Sequence, residues 1–165
     1  MPDPELAEQA RALLDLCRRK QLRIATAESC TGGLVAATLT EIPGSSAVVE
    51  RGFVTYSNEA KQAMLGVPSA ILEQFGAVSR ETAEAMATGA LAHSPAELAV
   101  SVTGIAGPGG ATPGKPVGLV HFGAASRDAG LIHRERRFGD IGRSEIRRTS
   151  VVEALMMLRQ LAERQ

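Results

Sequence analysis

An α/β domain, three-layered (α/β/α) around a mixed, mostly parallel sheet, is what this sequence predicts. Helical and strand periodicities alternate along the first part of the chain, as they do in sheets covered on both faces. Two strand-like runs, Val117–Ala124 and Leu131–Phe138, then follow one another across a turn at Asp128–Gly130 and read as an antiparallel pair. With 44% hydrophobic residues in 165, the chain is long enough for one buried core and short for two, so residues 1–165 are read as one domain.

The elements follow in order. Glu5 to Lys20 places Leu6, Ala10, Leu13, Leu14 and Cys17 on one helical stripe. Leu22 to Ala27 reads as a short strand and Gly32 to Leu39 as the helix after it, with a tight turn between them. Pro43 to Ser46 is a loop, and Val48 to Thr55 a second strand. A helix from about Glu59 to Leu65 has Asn58 as its expected cap, and Ser79 is expected to cap another running to about Leu91. Leu98 to Val102 is a third strand, followed by a Gly- and Pro-rich loop from Gly104 to Pro116. Beyond the hairpin, a last helix runs from about Gly142 and carries Ile146, Val151, Leu155, Leu158 and Ala162.

Composition narrows the function. Eighteen basic and eighteen acidic residues cancel, and no long patch of one sign appears, so neither nucleic acid nor a membrane surface is an expected partner. The basic stretch Arg134–Arg148 is interrupted by Glu135, Asp140 and Glu145 and reads mostly as a solvated face. Aromatic residues make up 3%, too few for stacking nucleobases. Cys17 and Cys30 form no disulfide framework, and the N-terminus lacks the basic and apolar segments of a secretion signal. The expected setting is the reducing cytoplasm. No His-x-x-x-His, Cys-x-x-Cys or clustered carboxylates have ligand spacing, so no metal is expected.

Three polar turns, at Ser29, Tyr56 and Thr103, each follow a strand, where sites gather in α/β sheets. Ser29 stands before Thr31, Gly32 and Gly33, where unpaired backbone N–H groups can hold an oxyanion or a phosphate. It has two readings, a nucleophile or simply the cap of the next helix, which is the commoner use of such a serine. The segment is not a Gly-x-Ser-x-Gly elbow, because Ala27 and Thr31 stand at the glycine positions. None of His93, His121 and His133 lies in a loop that joins these turns. Lys61 is the better base, since a helix N-terminus and burial both favour its neutral amine; the alternative is an ordinary exposed lysine. Tyr56, the only tyrosine, and Thr103 are candidates for hydrogen bonding. The loop after Thr103 offers amides to an anion but is neither a Walker A loop nor a dinucleotide fingerprint. Arg143 is one of several arginines able to pair with a phosphate.

Beyond these separate features, ordered blocks resemble the CinA C-terminal family. They are Thr26-Ala27-Glu28-Ser29-Cys30-Thr31-Gly32-Gly33, Gly44-Ser45-Ser46, the run from Arg51 to Lys61, Gly76-Ala77-Val78-Ser79, Thr103-Gly104-Ile105-Ala106-Gly107-Pro108 and Lys115-Pro116-Val117-Gly118. The resemblance implies hydrolysis of the carboxamide of nicotinamide mononucleotide, in pyridine-nucleotide salvage, without metal or cofactor. It implies Ser29 as nucleophile and Lys61 as base, with Tyr56 and Thr103 assisting. Cys30, Thr31, Gly32, Gly33, Gly104 and Arg143 are implied to bind the substrate, with Arg147 and Arg148 one turn further on as alternatives to Arg143. The only partner implied is the nucleotide, and a homo-oligomer is expected of a small salvage enzyme. The alternative is a nucleotide-binding regulatory module without activity, related to competence and damage-inducible proteins. Some members carry a further N-terminal domain linked to those roles, and this chain is expected to do without it.

Overall fold

Small side chains on one sheet face and large ones on the other decide how the layers pack. In the computed structural model, which describes residues 3–165, the N-terminal half runs α1 (Pro4–Lys20), β1 (Ile24–Glu28), α2 (Leu34–Thr40), β2 (Val49–Val54), α3 (Asn58–Leu65) and α4 (Ser69–Phe75). There follow α5 (Arg80–Ala92), β3 (Leu98–Gly104), β4 (Leu119–Ser126), β5 (Gly130–Arg137) and α6 (Arg143–Glu163). The strands form one sheet in the order β2-β1-β3-β4-β5. β1 pairs in parallel with β2 and β3, while β3–β4 and β4–β5 are antiparallel. Only β4 runs against the rest, so the expected three-layer α/β/α class with a mixed, mostly parallel sheet is the one observed.

Residues alternate between the faces with period two. Ile24, Leu98, Val100, Val102, Val120 and Phe122 pack against α1, α2 and α6 in the larger core. Ala25, Ala27, Ala99 and Ala125 face the other way, onto α3 and α5. That face is so bare that α5 lies almost on the strands. Ser101 Oγ donates to the Ala83 carbonyl at 2.6 Å, and a Cβ on Gly123 would stand 2.6 Å from the same oxygen. α3 is packed onto α5 just as tightly, since a Cβ on Gly89 would meet the Leu65 carbonyl oxygen at 2.1 Å. The depth at which α3 sits is therefore set by missing side chains rather than by bulky ones.

The local details differ from expectation in three places. Ser57, not Asn58, caps α3, its Oγ accepting from the Ala60 N–H at 3.0 Å, and Asn58 is the first helical residue. Ser57 precedes the helix in extended backbone, as a capping residue must. Residues 69–75 form a helix that the sequence pattern does not announce, entered after Pro68 and closed by Gly76. The helix after the Ser29 turn begins only at Leu34, because Gly32 and Gly33 take left-handed backbone angles, φ 58° and 106°.

The α3–α5 contact yields a direct prediction. Gly89→Ala forces the helices apart and costs about 1–3 kcal/mol, as overpacking does. Gly109→Ala, where an added Cβ meets nothing within 4 Å, leaves stability unchanged. Urea denaturation of both variants checks this through their midpoints.

Candidate active site

At the end of β1 the chain must turn away from the sheet while leaving Ser29 on the α3/α5 face. Glu28 achieves this. It is 1% exposed, and its carboxylate accepts from the Thr31 hydroxyl at 2.6 Å and from the N–H groups of Val35 and Ala36 at 2.8 and 3.0 Å. The first-turn donors of α2 that the sequence leaves to Ser29 or to a ligand are thus consumed by its neighbour. Ser29 is no cap. Its own N–H donates to the Val102 carbonyl at 2.9 Å, which fastens the turn to β3.

Ser29 Oγ instead lies 3.1 Å from Lys61 Nζ. Lys61 leaves the first part of α3 and turns back toward the helix N-terminus, as helical side chains do. There Nζ also meets the carbonyl oxygens of Thr55 and Tyr56 at 2.9 and 3.3 Å. The side chain is 1% exposed and forms no ion pair among the described residues. Burial without a carboxylate holds its pKa below the usual lysine value of 10.5. A neutral amine fits the three contacts completely: two N–H bonds go to the carbonyls and the lone pair faces the Ser29 hydroxyl. The arrangement can draw a proton from Ser29.

Around this pair, the turn presents donors. Gly32 N–H returns to the Ser29 carbonyl at 3.0 Å and Leu34 N–H to that of Thr31 at 3.0 Å. The N–H groups of Cys30, Thr31 and Gly33 bond to no backbone or side-chain acceptor of a neighbouring residue among those described. The donors available to a ligand therefore belong to the turn rather than to the helix proper. Cys30 itself is buried, which pushes its thiol up to about 12 and keeps it from competing as a thiolate.

The other sequence candidates are placed less directly. Thr103 is buried at the end of β3, and its hydroxyl donates to the Ala77 carbonyl at 2.8 Å. Tyr56 serves Lys61 with its backbone carbonyl, while its side chain is 62% exposed and its hydroxyl accepts from Arg143 at 3.1 Å. Arg143 also donates to the Gly107 carbonyl at 2.7 Å, so it joins α6, the Tyr56 turn and the glycine-rich loop at one rim. Gly104 lies within β3 opposite Val120, where a Cβ would stand 2.9 Å from the Leu119 carbonyl oxygen; the loop begins beyond it. Arg148 points elsewhere, pairing with Asp3 and Glu5 of the α1 start. Of the histidines, His121 and His133 bond to each other at 2.9 Å and His93 contacts the Gly89 carbonyl. Sequence reasoning missed Glu28 as the anchor of the turn; the signal was an acid four residues before a Gly-Gly pair that delays the helix.

Two variants test this geometry. Glu28→Ala leaves buried N–H groups without acceptors and lowers the unfolding free energy by about 1–3 kcal/mol. Lys61→Met has a pH signature. Between the lowered folded pKa and 10.5 the unfolded chain binds the lysine proton and the folded chain does not, so the contribution of Lys61 to stability rises with pH. The stability of wild type relative to Lys61→Met therefore grows as pH is raised from neutrality toward 10.5, readable by denaturation at several pH values.

Comparison with known proteins bears on the whole chain. The CinA C-terminal domain family model matches residues 6–162. The nicotinamide-nucleotide amidohydrolase PncC of Pseudomonas putida is 50% identical over 144 residues, covering 87% of this chain and 89% of that protein. A CinA-like protein of Chlorobium phaeovibrioides is 57% identical over 118 residues, covering 72% of this chain but 28% of its own length. This chain thus spans about a third or less of several curated relatives, from 28% to 37%. The crystal structure of the competence/damage inducible protein CihA from Agrobacterium tumefaciens superposes with a TM-score of 0.95 at 55% identity, covering 100% of this chain and 99% of that one. With the match running through nearly every element described above, the chain belongs to the CinA C-terminal domain family.

Proposed function

We propose that the chain is an amidohydrolase that converts nicotinamide mononucleotide to nicotinic acid mononucleotide and ammonia, by a Ser29/Lys61 mechanism. The observation that carries the reading is the 3.1 Å approach of Ser29 Oγ to a buried Lys61 amine with no carboxylate partner among the described residues. The substrate class is supported by the half-identical Pseudomonas putida amidohydrolase, which this chain covers over 89% of its length.

In the proposed course, Lys61 Nζ accepts the Ser29 proton as Oγ attacks the carboxamide carbon. The tetrahedral oxyanion accepts from the free N–H groups of the turn, with that of Cys30, directly after the nucleophile, first among them. Collapse breaks the C–N bond, and the proton held by Lys61 passes to the departing nitrogen, which leaves as ammonia. Water then attacks the acyl-serine, giving one proton to Lys61. The C–O bond to Ser29 breaks, and Lys61 returns that proton to Oγ. Thr103 and the Tyr56 turn line this space and hold its shape. Arg143, with no ion-pair partner among the described residues, supplies positive charge at the rim for the phosphate. A homo-oligomer and a cytoplasmic setting remain part of the proposal; among the described residues no helix is long and apolar enough to cross a membrane.

Ammonia release from nicotinamide mononucleotide by purified protein, without added metal, tests the reading. Ser29→Ala and Lys61→Met are expected to lower kcat by roughly 10³-fold or more, by analogy with loss of a nucleophile or base elsewhere. No ammonia from wild type sinks the substrate assignment, and full activity in Ser29→Ala sinks the serine mechanism.

A further inference from the structure

Arg147 has no task in the scheme above, yet it touches the turn that carries Ser29. It lies one helical turn beyond Arg143 on α6 and forms no ion pair among the described residues, whereas the adjacent Arg148 engages Asp3, Glu5 and Glu145. Its Nη2 donates to the Thr31 carbonyl at 3.1 Å, and the same nitrogen stands 3.6 Å from where a Gly32 Cβ would be. Its Nε is buried with no hydrogen-bond partner among the described residues. An arginine held this way, against a backbone turn and without an acid, has a desolvation cost that its single hydrogen bond does not explain.

The backbone connectivity gives the contact a direction. The Thr31 carbonyl that Arg147 binds belongs to the same peptide group as the Gly32 N–H. That N–H donates to the Ser29 carbonyl at 3.0 Å, and the Ser29 carbonyl shares its peptide group with the Cys30 N–H. The chain of bonds thus starts on a guanidinium, passes through two peptide groups and ends on an N–H that no other described residue accepts from. Each hydrogen bond in such a chain polarises the next, and a cation at its head strengthens the donor at its tail. The same cation reaches Cys30 electrostatically, where it opposes the rise of the thiol pKa that burial imposes.

We infer that Arg147 is a positioning residue for the oxyanion site, holding the Ser29–Gly32 turn and polarising the Cys30 N–H through the Thr31 and Ser29 peptide groups. This rests on the proposed role of Ser29 as nucleophile. It assigns Arg147 to the reacting carbonyl rather than to the phosphate at the Arg143 rim. Glu28 grips the same turn from below through the Thr31 hydroxyl, so the turn is held between a carboxylate and a guanidinium. The residue that needs such fixing is the donor nearest the nucleophile.

The test compares Arg147→Met and Arg147→Lys with wild type, using nicotinamide mononucleotide. For Arg147→Met, kcat is expected to fall roughly 10- to 100-fold with KM unchanged, less than the about 10²–10³-fold that loss of a whole oxyanion donor costs. Arg147→Lys, which keeps the charge, recovers part of the loss. A rise in KM with kcat intact makes Arg147 a substrate anchor and overturns the inference, as does unchanged kcat. A second readout does not depend on the nucleotide: the rate at which phenylmethanesulfonyl fluoride labels Ser29, followed by mass spectrometry, since the sulfonyl oxygens occupy the same donors. Slower labelling in Arg147→Met, with the denaturation midpoint retained, supports the inference even where wild type releases no ammonia and the substrate assignment has failed. Equal labelling rates overturn it. A wild type that neither releases ammonia nor takes the label removes the nucleophile, and the inference with it.

Discussion

Glu28 places a carboxylate beneath the Ser29 turn, where it takes two N–H groups of α2 and the hydroxyl of Thr31. Everything that distinguishes Ser29 from a capping serine follows from that interaction. Once the carboxylate has taken the N–H groups of Val35 and Ala36, the helix does not need the serine hydroxyl as a cap, and it faces α3. Gly32 and Gly33 make the geometry possible, because their left-handed angles delay the helix and leave room for a turn with unpaired donors. The backbone carbonyl of Glu28 accepts from Thr55 N–H at 2.8 Å, so the same residue also ties β1 to the segment whose carbonyls hold Lys61.

Lys61 is the second half of that constraint and the more costly one. A buried lysine without an acid is unfavourable as an ammonium, and the chain must hold it in place by other means. It does so with packing. Ala25, Ala27, Ala99, Ser101 and Gly123 let α5 settle close to the sheet, and Gly89 lets α3 settle close to α5, so Lys61 has nowhere to go but toward the carbonyls and Ser29.

How much of this was legible in the residues varied with distance along the chain. The stripes of α1 and α6 and the buried strands were clear, because apolar periodicity is a local property. Ser57 and Asn58 are both good caps side by side, and only the extended backbone at Ser57 separates them. The helix at 69–75 is short, and so few residues carry little periodic signal. The approach of Ser29 to Lys61 spans thirty-two positions, a number that no helical or strand period explains. Family resemblance pointed to both residues; the fold shows why they meet. Glu28 went unremarked as an anchor because a glutamate ending a strand is ordinarily solvated, and its burial is a tertiary fact.

Charge shows the same contrast between the chain and the site. Basic and acidic residues balance at eighteen each, which argues against any broad electrostatic role. The balance is not uniform at the start of α6, where Arg148 binds acids of α1 while Arg143 and Arg147 contact backbone carbonyls and one tyrosine hydroxyl. Carbonyls hold a guanidinium in place without neutralising it. Two cations without an ion pair among the described residues, beside a buried lysine, produce a field suited to negative charge arriving from outside or developing during reaction. Their positions divide that work: Arg143 is exposed at the rim with the glycine-rich loop, and Arg147 lies against the turn next to Ser29. In the proposed scheme an anion carried by the substrate meets Arg143, and an oxyanion formed from it meets the turn that Arg147 holds, so the two arginines act one helical turn apart.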